Sequence, residues 1–328
     1  MKAIVCQELG PPEKLLLGEL PEPAMGPQDV RIAVRACGVN FPDTLIIQGK
    51  YQFKASPPFA PGAEMAGEII EVGEKVRHLK PGDRVMTVQP AGGFAEQAVF
   101  PAAAALPVPR NMDDCTAAAF PMAYGTSMYA LKQRARLQKD ETLLVLGAAG
   151  GVGLAAVQIG KAMGARVIAA ASTDEKLALC RENGADEVIN YSDGTLKEQV
   201  KTLTGGQGAD VIYDPVGGDA FQQSLSCVNW GGRILVIGFA SGEIPQAAIN
   251  RILLKNCAVT GVFWGASMVR EPQENLNNFI QLQEWYESGS IRPHISATYA
   301  LQDAPQALID MVSRRATGKL VVKVAEGI

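Results

Sequence analysis

Histidine is nearly absent from this chain: His78 and His294 are the two in 328 residues. Six cysteines (Cys6, Cys37, Cys115, Cys180, Cys227, Cys257) are scattered without a CxxC pair. This excludes a disulfide framework and a Cys/His zinc site of the usual spacing. A basic field is missing too, since the formal net charge is −4. Arg314-Arg315, the one adjacent basic pair, reads as a solvated helix end, so nucleic acid is not an expected partner. Leu143–Gly160 runs for 18 residues without a charge, the lower limit for a membrane span, but five of them are glycine, which argues against a stable spanning helix. The opening MKAIVCQELG has a four-residue apolar run before Gln7 and Glu8, which predicts no secretory signal and a cytoplasmic protein. No internal repeat or low-complexity run occurs. Hydrophobic content of 47% and charged content of 20% fit a globular chain of about two domains.

What is present centres on Thr142–Ala171, TLLVLGAAGGVGLAAVQIGKAMGARVIAAA. A short apolar run stops at Gly147, Gly150, Gly151 and Gly153, a helix-compatible segment follows, and a second apolar run begins at Arg166. Strand, tight turn, helix and strand in this order predict a dinucleotide site. Glycines at a strand exit let backbone N–H groups close on a pyrophosphate, and the helix start faces it with positive partial charge. The spacing, Gly147-x-x-Gly150-Gly151-x-Gly153, departs from a strict G-x-G-x-x-G.

Residues 1–122 have short strand-like runs, such as Val30–Val34, Glu68–Val72 and Arg84–Val88, punctuated by Gly26-Pro27, Pro61-Gly62 and Pro81-Gly82-Asp83. They predict a compact β-rich domain, a partly closed barrel. From Asn111 to Lys132 the apolar spacing turns helical, which places the domain crossing there. Beyond Glu141 strands alternate with helices, the signature of a doubly wound parallel sheet. An amphipathic helix is expected over Asn275–Glu287, another over Leu301–Val312, and a closing strand at Lys319–Lys323. The expected division is residues 123–267 as the dinucleotide-binding domain and 1–122 as the other, completed by 268–328.

Gly26-Pro-x-Asp-Val-x-Ile-x-Val34, Cys37-Gly-Val-Asn40-Phe-Pro-Asp43, Pro61-Gly-x-Glu64-x-x-Gly67, Val72-Gly73 and Pro81-Gly-Asp-Arg-Val85, ahead of AAGGVG, resemble the medium-chain dehydrogenase/reductase superfamily from end to end. Zinc alcohol dehydrogenases of that superfamily place a Cys where this chain has Asn40, a His where it has Ala63, and a four-Cys lobe where it has Gln89–Phe100. The chain therefore resembles the zinc-independent NADPH:quinone oxidoreductases. The resemblance implies an α/β Rossmann domain, a GroES-like domain, a cleft between them and a homodimer joined through the last Rossmann strand.

NAD-binding relatives carry an acidic residue about 20 positions beyond the glycine turn. Here Ala171 stands there, followed by Ser172 and, one helical turn on, Lys176, a hydroxyl and an ammonium suited to a 2′-phosphate and hence to NADPH. By resemblance, Tyr191 packs near that phosphate, and Ala149, Gly150, Gly151 and Val152 form the pyrophosphate turn. The resemblance also places Asn40, Thr126, Phe239, Phe263 and Trp264 along the nicotinamide edge, with Lys319 near the cofactor. Tyr191 reads equally as a strand-end aromatic, and Phe263 and Trp264 as core or dimer-interface side chains.

Reducing a quinone needs no activated nucleophile, only a nicotinamide held against an electrophilic ring. Asn40 can bond a carbonyl and Tyr51 can protonate a developing enolate, so these are the candidate catalytic residues; Asp43 is expected to anchor its loop. Asn40-x-x-Asp43 followed by Ile47-Gln-Gly-x-Tyr51 is also similar to the 2-enoyl thioester reductases, in which the matching tyrosine is the proton donor. The expected partner is a small quinone or enone, with an enoyl thioester as the alternative and a non-enzymatic NADPH-binding role as a third reading.

Overall fold

The structure, a computed structural model, describes residues 1–313 and 315–324. The chain divides into two compact units, Met1–Met122 with the segment from Pro293 onward, and Ala123–Arg292.

In the first unit β1 (Lys2–Val5) pairs with β2 (Leu16–Glu19). A seven-stranded sheet is built around β3 (Asp29–Val39), with β4 (Glu64–Val72), β5 (Arg84–Val88), β6 (Gln97–Pro101) and β7 (Leu106–Pro107). One edge of β3 pairs with β4; the other is shared, with β6 along Asp29–Ala33 and a late strand along Ala36–Val39. β3 alternates half-buried and buried residues up to Cys37, and its inward Val30, Ile32 and Val34 enter a core with Met65, Ile69, Phe94 and Leu320. Helix α1 (Phe41–Ile46) follows directly, with Pro42 in its first turn, and α2 (Asp114–Ala118) is capped by the Asp113 carboxylate on the Thr116 N–H.

Helix α3 (Pro121–Met128) widens into a π-helical turn over Tyr129–Arg134, where the Ala135 N–H reaches the Ala130 carbonyl at 2.8 Å. The single helical stretch expected over Asn111–Lys132 is therefore several pieces, interrupted before Pro121, whose ring cannot continue the preceding hydrogen-bond ladder.

The second unit holds a parallel sheet of β8 (Thr142–Val145), β9 (Arg166–Ala171), β10 (Glu187–Asn190), β11 (Ala209–Asp214), β12 (Val228–Val236) and β13 (Ala258–Gly261), ordered β10-β9-β8-β11-β12-β13. Connecting helices are α4 (Gly151–Ala162), α5 (Asp174–Glu182), α6 (Leu196–Leu203), α7 (Gly218–Cys227) and α8 (Ile249–Lys255). Central strands covered on both faces are apolar almost without interruption: β8 reads TLLV and β9 RVIAAA, with five consecutive buried residues in β9. This is the doubly wound Rossmann order, and the strand order reverses between β8 and β11, the place where such sheets bind ligands.

The expected return at residue 268 is corrected by the structure to Pro293. Helices α9 (Trp264–Arg270) and α10 (Pro272–Glu287) stay with the second unit. Phe279 lies 6.2 Å from the Trp264 ring, and the buried Asn278 amide exchanges hydrogen bonds of 3.0 and 3.1 Å with Gln133. An amphipathic helix that finds an apolar partner before the chain leaves belongs to that partner, whatever the texture of the sequence around it. After Pro293 come β14 (Ile295–Ala300), α11 (Ala304–Val312) and β15 (Lys319–Lys323), which adds β14 and itself to the first sheet beside β3. Of the expected tail, residues 325–328 lie outside the described residues, as does Arg314 of the Arg314-Arg315 pair.

Candidate active site: a buried ionic cluster and a glycine turn

In the first unit the chemistry-bearing side chains gather where β3 ends. Asn40 caps α1, its N–H bonded at 2.8 Å to an Asp43 carboxylate oxygen whose other oxygen accepts the Ala63 N–H at 3.0 Å. Asp43 thus anchors its loop, as expected. Burial pushes its carboxyl up to about 7, against the opposing pull of the Asn40 N–H, Lys319 and the Ala63 N–H.

Lys319, on β15 and 4% exposed, donates to Glu64 Oε2 at 2.8 Å, to Asn40 Oδ1 at 2.5 Å and to the Val39 carbonyl at 3.2 Å. Glu64 is fully buried; its Oε2 also accepts from Asn40 Nδ2 at 2.9 Å and its Oε1 from the Met122 N–H at 2.7 Å. An ammonium has three hydrogens, and all three of Lys319 are engaged. No N–H of Lys319 therefore remains to donate to a ligand. Asn40 gives its second amide hydrogen to the Gly38 carbonyl at 3.2 Å, so toward a ligand it retains one acceptor lone pair and no donor.

Tyr51 differs from these. It is half-buried, and its hydroxyl makes no hydrogen bond with another described residue. Burial, then the nearby Asp43 carboxylate, pushes its phenol up, which keeps the O–H protonated at neutral pH.

In the second unit β8 exits into a turn at Gly147, whose φ of +55° lies in the left-handed region, and α4 starts at Gly151 behind the N-cap Gly150. Gly153 lets the first turn of α4 sit against the strand exit: a Cβ there would lie 2.4 Å from the Gly147 carbonyl oxygen and 2.7 Å from Ala148 Cα. No side chain caps the helix start, so its first-turn N–H groups have no capping side chain, while the Gly150 N–H bonds the Gly147 carbonyl at 3.0 Å.

The adjacent strand ends bring Ser172, Lys176 and Tyr191 into one region. Asn190 at the end of β10 pairs with Ala171 at the end of β9, and the Tyr191 N–H bonds the Ala171 carbonyl at 3.2 Å. Ser172 is exposed and Lys176 half-buried, while Tyr191 also packs its ring against the core. Of the acids beside them, Glu175 is turned onto the helix cap, where its own N–H and the Thr173 hydroxyl hold its carboxyl below the usual range.

Two family models match, the alcohol dehydrogenase GroES-like domain over residues 26–110 and the zinc-binding dehydrogenase over 151–283. The chain is 42% identical over 324 residues to quinone oxidoreductase-like protein 2 homolog of Nematostella vectensis, covering 98% of this chain and 88% of that protein. It is 35% identical to the quinone oxidoreductase of Rattus norvegicus, covering 98% and 97%. Among solved structures, Escherichia coli quinone oxidoreductase complexed with NADPH superposes with a TM-score of 0.91 at 31% identity, covering 99% of this chain and all of that one. The chain belongs to the zinc-independent quinone oxidoreductase family of the medium-chain dehydrogenase/reductase superfamily.

For a member of that superfamily the donor set at the end of β3 does not suit zinc. Ala63 offers no ligand atom, and Asn40 and Glu64 are already bonded to an ammonium, a poor neighbour for a second cation. Among the described residues no group of three or more His, Cys, Asp or Glu side chains could hold a metal ion.

The remaining assignments fall out unevenly. Thr126 is half-exposed on α3, and Phe239 is half-exposed beyond β12, beside Gly217, whose added Cβ would meet its ring at 3.0 Å. Phe263 is 56% exposed. Trp264 is 5% exposed with its indole N–H given to Asn275 Oδ1 at 2.9 Å and its ring beside Phe279, the packing that its reading as a core side chain describes. Sequence reasoning missed Glu64, Ser127 and Tyr213. The first had a signal, an acid inside Pro61-Gly-x-Glu64 just before an apolar run; the other two look like ordinary core residues.

Proposed function

We propose that this chain is an oxidoreductase that uses NADPH to deliver hydride to a quinone or another α,β-unsaturated carbonyl, without a metal ion. The observation that carries the reading is the glycine turn at the reversal point of the sheet, closed by backbone where a Cβ would clash and open at the uncapped start of α4. Such a helix start accepts a pyrophosphate, and Ala149, Gly150, Gly151 and Val152 are the residues that would hold it. Ser172 and Lys176, with Ala171 in place of an acid, favour a ribose 2′-phosphate, and Tyr191 lies beside them. Thr126 and Phe239 remain as candidates for the nicotinamide end, and Phe263 as a further one.

Bound there, NADPH supplies a hydride, two electrons and one proton's worth of hydrogen. Tyr51 supplies the second proton: its raised phenol holds the O–H for a developing enolate or hydroquinone oxygen. Asn40 contributes by fixing α1 and accepting one hydrogen bond, and Asp43 by fixing the loop that leads to Tyr51.

A panel of acceptors with purified protein tests the reading. Oxidation of NADPH in preference to NADH, with benzoquinones and simple enones, is the expected result. Turnover of crotonyl thioesters but no quinone would favour the enoyl thioester reductase reading, and NADPH binding with no turnover at all the non-enzymatic one. Tyr51→Phe should slow enone reduction by about 10²-fold or more, the usual worth of a positioned proton donor, and quinone reduction much less. Equal rates for variant and parent on every acceptor would remove Tyr51 from the mechanism.

We also propose a homodimer formed through β13. That strand ends the sheet order, and Val259 on it, with Ile249, Leu253 and Leu254 on α8, is exposed. An edge strand bordered by apolar side chains invites a second copy. Analytical ultracentrifugation should show a dimer, and a single species of monomer mass at micromolar concentration would refute it.

A further inference from the structure

Tyr213 is among the largest fully buried side chains of the protein, lies at the centre of the parallel sheet on β11, and carries a hydroxyl that the proposed chemistry does not use. Its hydroxyl is 2.9 Å from the Ser127 hydroxyl, and Ser127 Oγ donates to the Val152 carbonyl at 3.0 Å. Because the Ser127 proton goes to Val152, the bond between the two hydroxyls must run from Tyr213 to Ser127. The same Tyr213 accepts the Leu146 N–H on its backbone carbonyl at 3.0 Å. One residue therefore holds both sides of the glycine turn. Its backbone fixes Leu146, where the chain enters; its side chain, through Ser127 on α3, fixes Val152, in the first turn of α4.

We propose that Tyr213 and Ser127 are positioning residues that hold the pyrophosphate-binding turn in its ligand-ready shape before the cofactor arrives; this rests on the NADPH reading above. Phenylalanine in place of Tyr213 would fill the same core. The hydroxyl is instead retained in an apolar interior, where an unpaired O–H is costly and a paired one fixes geometry. The place it reaches is a carbonyl of α4 that already accepts its own helical hydrogen bond, so the added bond restrains the turn rather than completing the helix. Freedom removed in advance need not be removed on binding, which raises affinity without a new contact to the ligand.

The test uses Tyr213→Phe, Ser127→Ala and the double variant. NADPH affinity is read by fluorescence titration, steady-state kinetics with a quinone separate KM from kcat, and amide hydrogen exchange is followed in the cofactor-free protein. Each single variant should raise the NADPH Kd about tenfold, the size of one lost hydrogen bond, with the loss falling on KM for NADPH rather than on kcat. The double variant should lose no more than Ser127→Ala, because Tyr213 acts through Ser127. Exchange should quicken at Leu154–Ala156 and stay at the parent rate at Leu143–Val145. Parent-like Kd and exchange in folded Tyr213→Phe and Ser127→Ala, or lowered melting temperatures with neither quantity moved, would overturn the proposal. If the parent binds no NADPH, the functional reading fails, and the exchange profile still decides whether the two hydroxyls restrain the turn.

Discussion

Lys319→Met should lower unfolding stability by about 3–5 kcal/mol, the cost of removing one partner from a buried ion pair. Methionine keeps the length and most of the volume of the lysine stem, so the loss reports the ammonium and not a cavity. Glu64, fully buried, would keep a charge with no counter-charge within reach, and Asn40 Oδ1 and the Val39 carbonyl would each lose a donor. The typical total stability of a domain is about 5–15 kcal/mol, so the variant should be marginal at 37 °C. Adding Glu64→Gln should restore part of the loss even though it removes a second native group. The amide carries no charge to desolvate and its oxygen can still accept the Met122 N–H. Urea denaturation of the parent, Lys319→Met and the double variant decides the matter. A Lys319→Met midpoint equal to the parent's, or a double variant less stable than Lys319→Met, would show that the ion pair does not hold these strands together.

The cluster shows where a reading of residues stops. The Rossmann sheet was legible because its signals are local: apolar runs of strand length, a knot of glycines, and helices between them. Strands β8 and β9 stand where the two apolar runs predict, and the Thr173 hydroxyl caps α5. The tail was half legible. Periodicity found α10, but no periodicity says which core an amphipathic helix joins, and Asn278, Phe279 and Trp264 settle that by packing. Lys319 was legible as a position and not as a direction. The sequence shows a lysine at the start of a strand; only the pairing of β15 with β3 and the burial of Glu64 turn its ammonium inward. Tyr213 and Ser127 stand 86 residues apart, and a relay between two hydroxyls has no spacing rule by which to find it.

Gly153→Ala should damage both the fold and the proposed cofactor site, whereas Gly150→Ala should damage the site alone. At residue 153 the new Cβ would stand 2.4 Å from the Gly147 carbonyl oxygen, 2.7 Å from Ala148 Cα and 2.8 Å from the Ala148 carbonyl carbon. These are backbone atoms, unable to swing aside as a side-chain tip would, so α4 must slide away from the exit of β8. Overpacking of this kind costs about 1–3 kcal/mol. At residue 150 the backbone has φ −79° and ψ 171°, which any residue adopts, and the nearest atom to an added Cβ is the Gly147 oxygen at 3.4 Å. The melting temperature of Gly150→Ala should therefore stay near the parent's. Its methyl nevertheless stands at the N-cap, where the backbone has to approach a pyrophosphate closely, so NADPH affinity should fall about tenfold or more, the weight of at least one lost charge-assisted hydrogen bond. For Gly153→Ala, where the helix start is displaced as a whole, affinity should fall further. Calorimetric melting and NADPH titration of the two variants separate the effects. Parent-like melting of Gly153→Ala would contradict the close approach of helix and strand, and parent-like NADPH affinity in both variants would place the cofactor somewhere other than this turn.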